Sequence, residues 1–438
     1  MLQTTNFTTP TSISARLVEQ INACREFPAL VSVPAGNIEP LAWLAAQSCQ
    51  VKLVWSERDE QEVIVGVGEA ASVTAEPGVP AGDLLGRCRN IIANHNALRF
   101  YGGVSFDGRD AWPVFGAGRF LLPRFLLQDE RLQAVVLDRH DIVAASLDVQ
   151  QLNMAPSTPD NSLPNPTEIA YAPDRDAWRT NVNDALDLVR REVLEKVVLA
   201  RETTMVFSDP IDPVCLTTRI ADSTHDCYIF CFQFGAHLAF IGATPERLFK
   251  RQGDRLLSEI LAGTRPRGKS VGEDQRLAYE LLTSDKDQLE HDIVRKSIRQ
   301  TLHQFVDHLE VDSHASVLRL ARKQHLCSGV EATLKAGVTE GQILERLHPT
   351  PAVGGYPTEN ALPEIARLEP FNRGWYAAPV GWVGRDEAEF VVAIRSGLVD
   401  GRQLKLYSGA GIVNGSEPDQ EWAEIENKIC DFVNVLGT

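Results

Sequence analysis

No apolar run in the sequence approaches the ~20 residues that a bilayer-spanning helix requires, so no membrane partner is expected. The first twenty residues, MLQTTNFTTPTSISARLVEQ, lack the basic start and apolar core of a secretory signal. They are rich in Ser and Thr, but they also lack the Arg enrichment of a transit peptide. There is no CxxC pair among the eight cysteines. Cys227 and Cys231 lie on one face of the strand-like run CYIFCFQF and read as buried thiols rather than metal ligands. A reduced, cytoplasmic protein follows. Positive charge is also scarce: 43 Lys and Arg against 59 Asp and Glu leave a net charge of −16. That balance disfavours nucleic acid and anionic lipid, which both present phosphate. It leaves room for a small anionic substrate, because a local basic pocket overrules the global field at short range. No internal repeat is visible.

The chain has 438 residues, 44% of them hydrophobic, enough for a large core. Its 23% of charged residues is ordinary for a globular protein. The one compositional break is the Pro/Ser/Asn-rich stretch 154–168, read as a surface loop between an N-terminal portion (1–153) and a portion 169–438 of one large domain. Before it, KLVWSE and EVIVGVG alternate as strands do. After it, WRTNVNDALDLVRREVLEKVV is predicted to be a helix, and HLAFIGATPERLFKR a strand, turn and strand. LAYELLTSDKDQLEHDIVRKSIRQTLHQFV is predicted to be one long helix striped by Val294, Ile298, Leu302 and Phe305. The last third reads as a β-meander with a hairpin at Asp400-Gly401, closed by a helix with Ser416 at its N-cap. Strands and helices alternate without βαβ spacing, which favours an α+β fold.

Four groups of residues could carry chemistry. Asp287 and Glu290 share one helix face, and Glu421, Glu424 and Lys428 share another. Two such faces at one cleft would suit Mg²⁺, a hard cation held by carboxylates and an anionic substrate, although acidic i,i+3 pairs are commonly just solvated surface. Arg395 interrupts the apolar run FVVAIRSGL, as a structural ion pair or as a carboxylate clamp. Lys196 sits in LEKVVLAR and Glu246 follows Thr244-Pro245, placements that fit a base and an acid or, more blandly, a snorkelling lysine and a first-turn acid. The segment from Gly263 to Ser270, GTRPRGKS, matches the phosphate-loop pattern GxxxxGK[ST]. Pro266 argues against an NTPase, since it removes an N–H from a loop whose task is to point N–H groups at phosphate.

Taken in order, KVVLAR, FIGATPERLF, SEILAGTRPRG, SDKDQLEHDIV, HPTPAVGGYP, WYAAPVGW, FVVAIRSG and YSGAGIVNGSEPDQEWAEIENK resemble the chorismate-utilising enzymes, whose members act on chorismate with water or ammonia. The resemblance covers about residues 190–430, and GGVSFDG and LLPRFLL upstream are also similar to the family. It implies an α+β fold in which a β-sandwich-like core of antiparallel sheets is flanked by helices. It implies that Glu290 and Glu424 bind magnesium directly, with Asp287 and Glu421 flanking through metal-bound water. Arg395, Tyr376, Lys428 and the backbone of Gly409, Ala410 and Gly411 would then hold the enolpyruvyl carboxylate. Gly263, Thr264 and His348 would line the ring pocket. The resemblance makes Lys196 the base that activates water, where ammonia-using members carry Gln, and Glu246 the acid. Ala262 stands where aminodeoxychorismate-forming members carry a nucleophilic Lys. The implied reaction is the magnesium-dependent isomerisation of chorismate to isochorismate, with further pyruvate elimination to salicylate as the alternative. A monomer without an obligate glutamine amidotransferase partner is expected.

Overall fold

The computed structural model describes residues 12–59, 62–108, 112–156, 165–320 and 323–436, with side chains to residue 430. Residues 1–11 and most of the 154–168 stretch lie outside the described residues. The strand Pro166–Ala172 already occupies the end of that stretch. Among the described residues no helix is long and apolar enough to cross a membrane.

The architecture is α+β. Its strands are joined by antiparallel ladders into one hydrogen-bonded set. Arg255–Pro266 pairs with Lys323–Leu334 on one side and Arg247–Gln252 on the other. The ladder then runs through Glu387–Val392 and Pro379–Val383 into the N-terminal strands Phe100–Val104, Gly118–Gln128, Val63–Ala75 and Lys52–Ser56. It continues through Tyr228–Gly235, Leu238–Thr244, Ser396–Asp400 and Gln403–Ile412 to Lys196–Phe207. N-terminal strands therefore bridge two runs of C-terminal ones. The ladder folds back so that its faces pack together. Trp375, just before Pro379–Val383, lies edge-on to Phe232 and Phe240 of the other run, and Trp112 stacks on Tyr407.

Three predicted elements break where the sequence pattern continued. The helix after Asp174 ends at Arg190, Glu192 turns with φ +57°, and Lys196 opens a strand. Lys196 thus lies on a pleated surface beside β-branched neighbours that prefer it. The predicted long helix is two, Val271–Thr283 and Asp285–Leu302, because the Ser284 hydroxyl accepts the Asp287 N–H and starts the second. The predicted meander is not one either. Glu387–Val392 pairs with Arg247–Gln252, and Ser396–Asp400 with Leu238–Thr244, so the chain changes partners at the corner that holds Arg395 in a left-handed conformation. The hairpin pairs Asp400 with Gln403, and Gly401 takes the positive φ. Ser416 does not cap the closing helix, which starts at Pro418; its hydroxyl accepts the Val413 N–H.

One buried pair ties these pieces around the cavity described below. Arg373 donates to both carboxylate oxygens of Glu369 (2.8 and 2.5 Å) and to the carbonyls of Val353 and Val198 (both 2.8 Å). Glu369 also accepts the Ala200 N–H at 2.7 Å. Removing one partner of such a pair leaves an uncompensated charge inside the protein. Arg373→Met is expected to destabilise the fold by about 3–5 kcal/mol in urea unfolding, and a loss below about 1 kcal/mol would contradict this account.

Candidate active site

A cavity of about 100 Å³ opens between the strands Arg255–Pro266 and Gln403–Ile412, where the helices Asp285–Leu302 and Pro418–Leu436 lie across them. Glu246, Gly263, Thr264, Glu290, Tyr376, Arg395, Gly409, Glu424 and Lys428 all line it. Most of the residues singled out from the sequence therefore meet at one place.

Lys196 has no exposed surface, and its ammonium lies 2.7 Å from Glu290 Oε1. The contact is an ion pair whose angles fall short of a hydrogen bond. Gly411, on the neighbouring strand, makes room for it. A Cβ there would sit 2.5 Å from Glu290 Oε1 and 2.9 Å from Lys196 Cε. Lys196 does not itself line the cavity; Glu290 stands between. Gly411 and Ala410 are likewise outside the lining, and the Gly409 carbonyl faces Lys428 Nζ at 3.0 Å.

Glu246 is clamped by its backbone and free at its carboxyl. Its N–H donates to Thr244 Oγ1 (3.3 Å), its carbonyl accepts the Val392 N–H (3.0 Å), and Thr244 Oγ1 donates to the Val392 carbonyl (2.7 Å). Among the described residues nothing hydrogen-bonds the carboxyl. Burial pushes its pKa up to about 7, with Glu259 adding to the rise and Lys196, Lys428 and Arg395 opposing it. A carboxyl poised there can hold a proton at neutral pH.

Arg395 Nη2 lies 2.8 Å from His325 Nε2. A guanidinium can only donate, so Nε2 accepts and the ring proton sits on Nδ1, which reaches Thr264 Oγ1 (3.1 Å) and the Gly263 carbonyl (3.3 Å). Burial and then Arg395 hold His325 well below the ordinary histidine range, so it is neutral. Tyr376 stacks on Tyr407 with ring centroids 5.2 Å apart. His348 departs from the expectation that it lines the ring pocket. It packs edge-on against Phe106, its Nε2 2.9 Å from the Phe106 carbonyl, outside the cavity lining.

Each of the four acids singled out for magnesium has a cation beside it. Glu290 faces Lys196 and Glu424 faces Lys428 (2.7 Å each), Glu421 faces Lys286 (2.7 Å), and Asp287 faces Arg265 (2.6 Å). Burial raises Glu424, but Lys428, Lys286 and Arg265 outweigh it and hold the carboxyl below its ordinary value. Burial dominates at Glu421 and raises it. Asp287 and Glu421 lie behind the cavity wall. Among the described residues no three acids, histidines or cysteines converge as a ready-made metal cage. Magnesium does not need one, being typically held by one or two carboxylates, waters and an anionic substrate. Glu290 and Glu424, oxygen donors on the cavity wall, fit that requirement.

The phosphate-loop match dissolves in the structure. Gly263–Pro266 belong to a bulged strand. The Gly268 N–H donates to Asp274 (2.9 Å) and the Lys269 N–H to Glu273 (2.8 Å), so carboxylates of the next helix occupy the amides a phosphate would need. His325, Tyr407, Arg265 and Lys286 were missed from sequence. Lys286 carried a usable signal, a cation inside the acidic run SDKDQLE. His325 carried none until the strand pairing set it opposite Thr264.

Residues 17–437 match the family described as chorismate binding enzyme. The chain belongs to that family. It is 32% identical over 406 residues to isochorismate synthase MenF of Escherichia coli K12, covering 91% of this chain and 90% of that protein. It is 45% identical over 269 residues to the chloroplastic isochorismate synthase 2 of Arabidopsis thaliana, covering 61% of this chain and 48% of that protein. The solved structure of the menaquinone-specific isochorismate synthase MenF from Escherichia coli superposes with a TM-score of 0.86 at 30% identity, over 97% of this chain and 100% of that one. Anthranilate synthase component I of Streptococcus pneumoniae shares the fold, with a TM-score of 0.72 at 20% identity, over 91% of this chain and 98% of that one. A chorismate-binding fold thus carries the cavity, and its antiparallel core with flanking helices agrees with the α+β expectation.

The Glu246 carboxyl makes a stability prediction. Its folded pKa of about 7 exceeds the ordinary 4.5, so the native state holds the proton more tightly. The group's contribution is present in full below pH 4.5 and is lost as pH rises to about 7. Relative to Glu246→Gln, which stays neutral, the parent should lose about 3 kcal/mol across that window. Urea unfolding of both proteins at about pH 5 and about pH 8 measures the difference, and parallel pH profiles would contradict it.

Proposed function

We propose that this chorismate-binding protein is a magnesium-dependent isochorismate synthase, adding water at C2 of chorismate and expelling the C4 hydroxyl. The observation that carries the reading is a buried lysine within electrostatic reach of a buried carboxyl poised near neutrality, at a cavity that also presents an arginine and a second lysine. Isochorismate synthases are prominent among the relatives, which favours the same reading.

Hydroxide is a poor leaving group, so its departure needs a proton in the transition state. Glu246 supplies it at the C4 oxygen while the ring double bonds shift. Lys196, as the neutral amine, takes the proton of the attacking water at C2, which requires that its ammonium first release a proton to solvent and that its ion pair with Glu290 open. Arg395, oriented by neutral His325, holds the enolpyruvyl carboxylate together with Lys428, and the Tyr376–Tyr407 stack walls that end of the pocket. When bound by Glu290 and Glu424, with Asp287 and Glu421 behind them, magnesium would neutralise the ring carboxylate and fix the ring's position. Water is the nucleophile on this reading, so no amidotransferase partner is needed to supply ammonia.

Chromatography of the products formed from chorismate and Mg²⁺, with and without EDTA, tests the activity. Isochorismate is expected only without EDTA; salicylate would mean that pyruvate elimination follows, and no turnover of chorismate would refute the reading. Lys196→Ala and Glu246→Gln should each lower kcat by ~10²–10⁴-fold with the fold intact. Near-parental rates in either would remove it from its role. Glu290→Ala should raise the magnesium concentration needed for half-maximal rate, and an unchanged requirement would take it out of the metal site.

A further inference from the structure

The proposed acid stands at the edge of a charged network that no step above uses. Arg58, in the turn after the N-terminal strand Lys52–Ser56, has only 10% of its side chain exposed. Its fork grips Glu259 through Nη1–Oε2 (2.8 Å) and Nη2–Oε1 (2.6 Å), and Nη1 also donates to the Pro245 carbonyl at 2.8 Å. Arg247 backs the same carboxylate (3.0 Å) while bonding Glu389 (3.0 Å) and Asp59 (2.5 Å). Pro245 immediately precedes Glu246, and Glu259 shares a strand face with Leu261 of the cavity wall. One guanidinium therefore touches the backbone that aims the acid and the negative charge nearest behind it.

We propose that Arg58 is a positioning residue for Glu246, fixing the Pro245–Glu246 turn and neutralising Glu259. The inference rests on Glu246 being the acid. Arg58 does not line the cavity, so its effect reaches the substrate only through that turn and that charge. The groups that set Glu246's charge environment are Lys196 on one strand, Glu259 on another, Lys428 on the closing helix, and Arg395 with Tyr376 at the far wall. Three of them are cations whose pull on the carboxylate form is opposed by burial and by Glu259. Cancelling Glu259 keeps Glu246 near neutrality. Without Arg58 the residual negative charge of Glu259 would hold the proton on Glu246 to higher pH.

An infrared titration of the protonated-carboxyl carbonyl band, identified by its loss in E246Q, reads this directly in the full-length protein. The midpoint is expected to rise by about one pH unit in R58Q, to fall in E259Q, and to stay near the parent value in R58K, which keeps the charge. In steady-state assays R58Q and R58K, both lacking the fork to Pro245, should lower kcat about tenfold at unchanged KM. An unmoved midpoint in R58Q and E259Q, or a raised KM at unchanged kcat, would overturn the proposal. Should R58Q fail to fold, E259Q and R58K decide the matter. A fully active E246Q would sink the acid assignment itself, whereas an inactive E246Q with unmoved midpoints would sink only the role of Arg58.

Discussion

An ammonium with no exposed surface must have a counter-charge, and the cavity is organised around that constraint at Lys196. Glu290 supplies the charge at 2.7 Å. Three features make this possible at once. The helix that presents Glu290 begins at Ser284, which sets the acid in its second turn. The strand that presents Lys196 begins at that residue, so the side chain leaves from a strand end. Gly411 has no Cβ where the pair lies. A longer helix before Ser284, a helix through residue 196, or an alanine at 411 would each displace one member and leave a buried charge unpaired.

The same rule runs through the surrounding shell. Arg373 with Glu369, Lys428 with Glu424 and Arg58 with Glu259 are each a buried or half-buried cation given a fixed counter-charge. Glu246 is the exception. Its neighbours are cations, yet among the described residues none hydrogen-bonds its carboxyl, and burial wins. A group left under-satisfied amid satisfied ones is where proton transfer is cheapest to arrange, because no strong contact must break when the proton moves.

Much of this was legible in the sequence because it depends on residue type at short spacing. Glu290 and Glu424 sat on helix faces, Glu246 followed a strand, and Arg395 stood out as a charge in an apolar run. What was not legible depends on long-range pairing. The FVVAIRSGLV run looked like one strand, but its two halves pair with Arg247–Gln252 and Leu238–Thr244, and the corner between them gives Arg395 its direction. His348 sat in a family-like block, yet the Phe106 carbonyl, 242 residues away, holds it outside the cavity lining. Arg58 lay outside the stretch of strongest resemblance. Only the placement of N-terminal strands in the middle of the ladder brings it to Pro245.

The acidity of the chain as a whole is compatible with an anionic substrate because charge is sorted locally. The cavity wall carries Arg395 and Lys428 against Glu246, Glu290 and Glu424, with Lys196 behind. With Glu246 protonated the remaining groups nearly cancel, and a nearly neutral pocket attracts a dianion only weakly. On the proposed reading the divalent ion supplies the missing positive charge. Its arrival also competes for Glu290, a carboxylate shared between the cavity wall and the buried lysine. Metal, substrate and base are thereby coupled through a single side chain, and the counter-cations that keep the other acids folded without metal set how strongly that competition is felt.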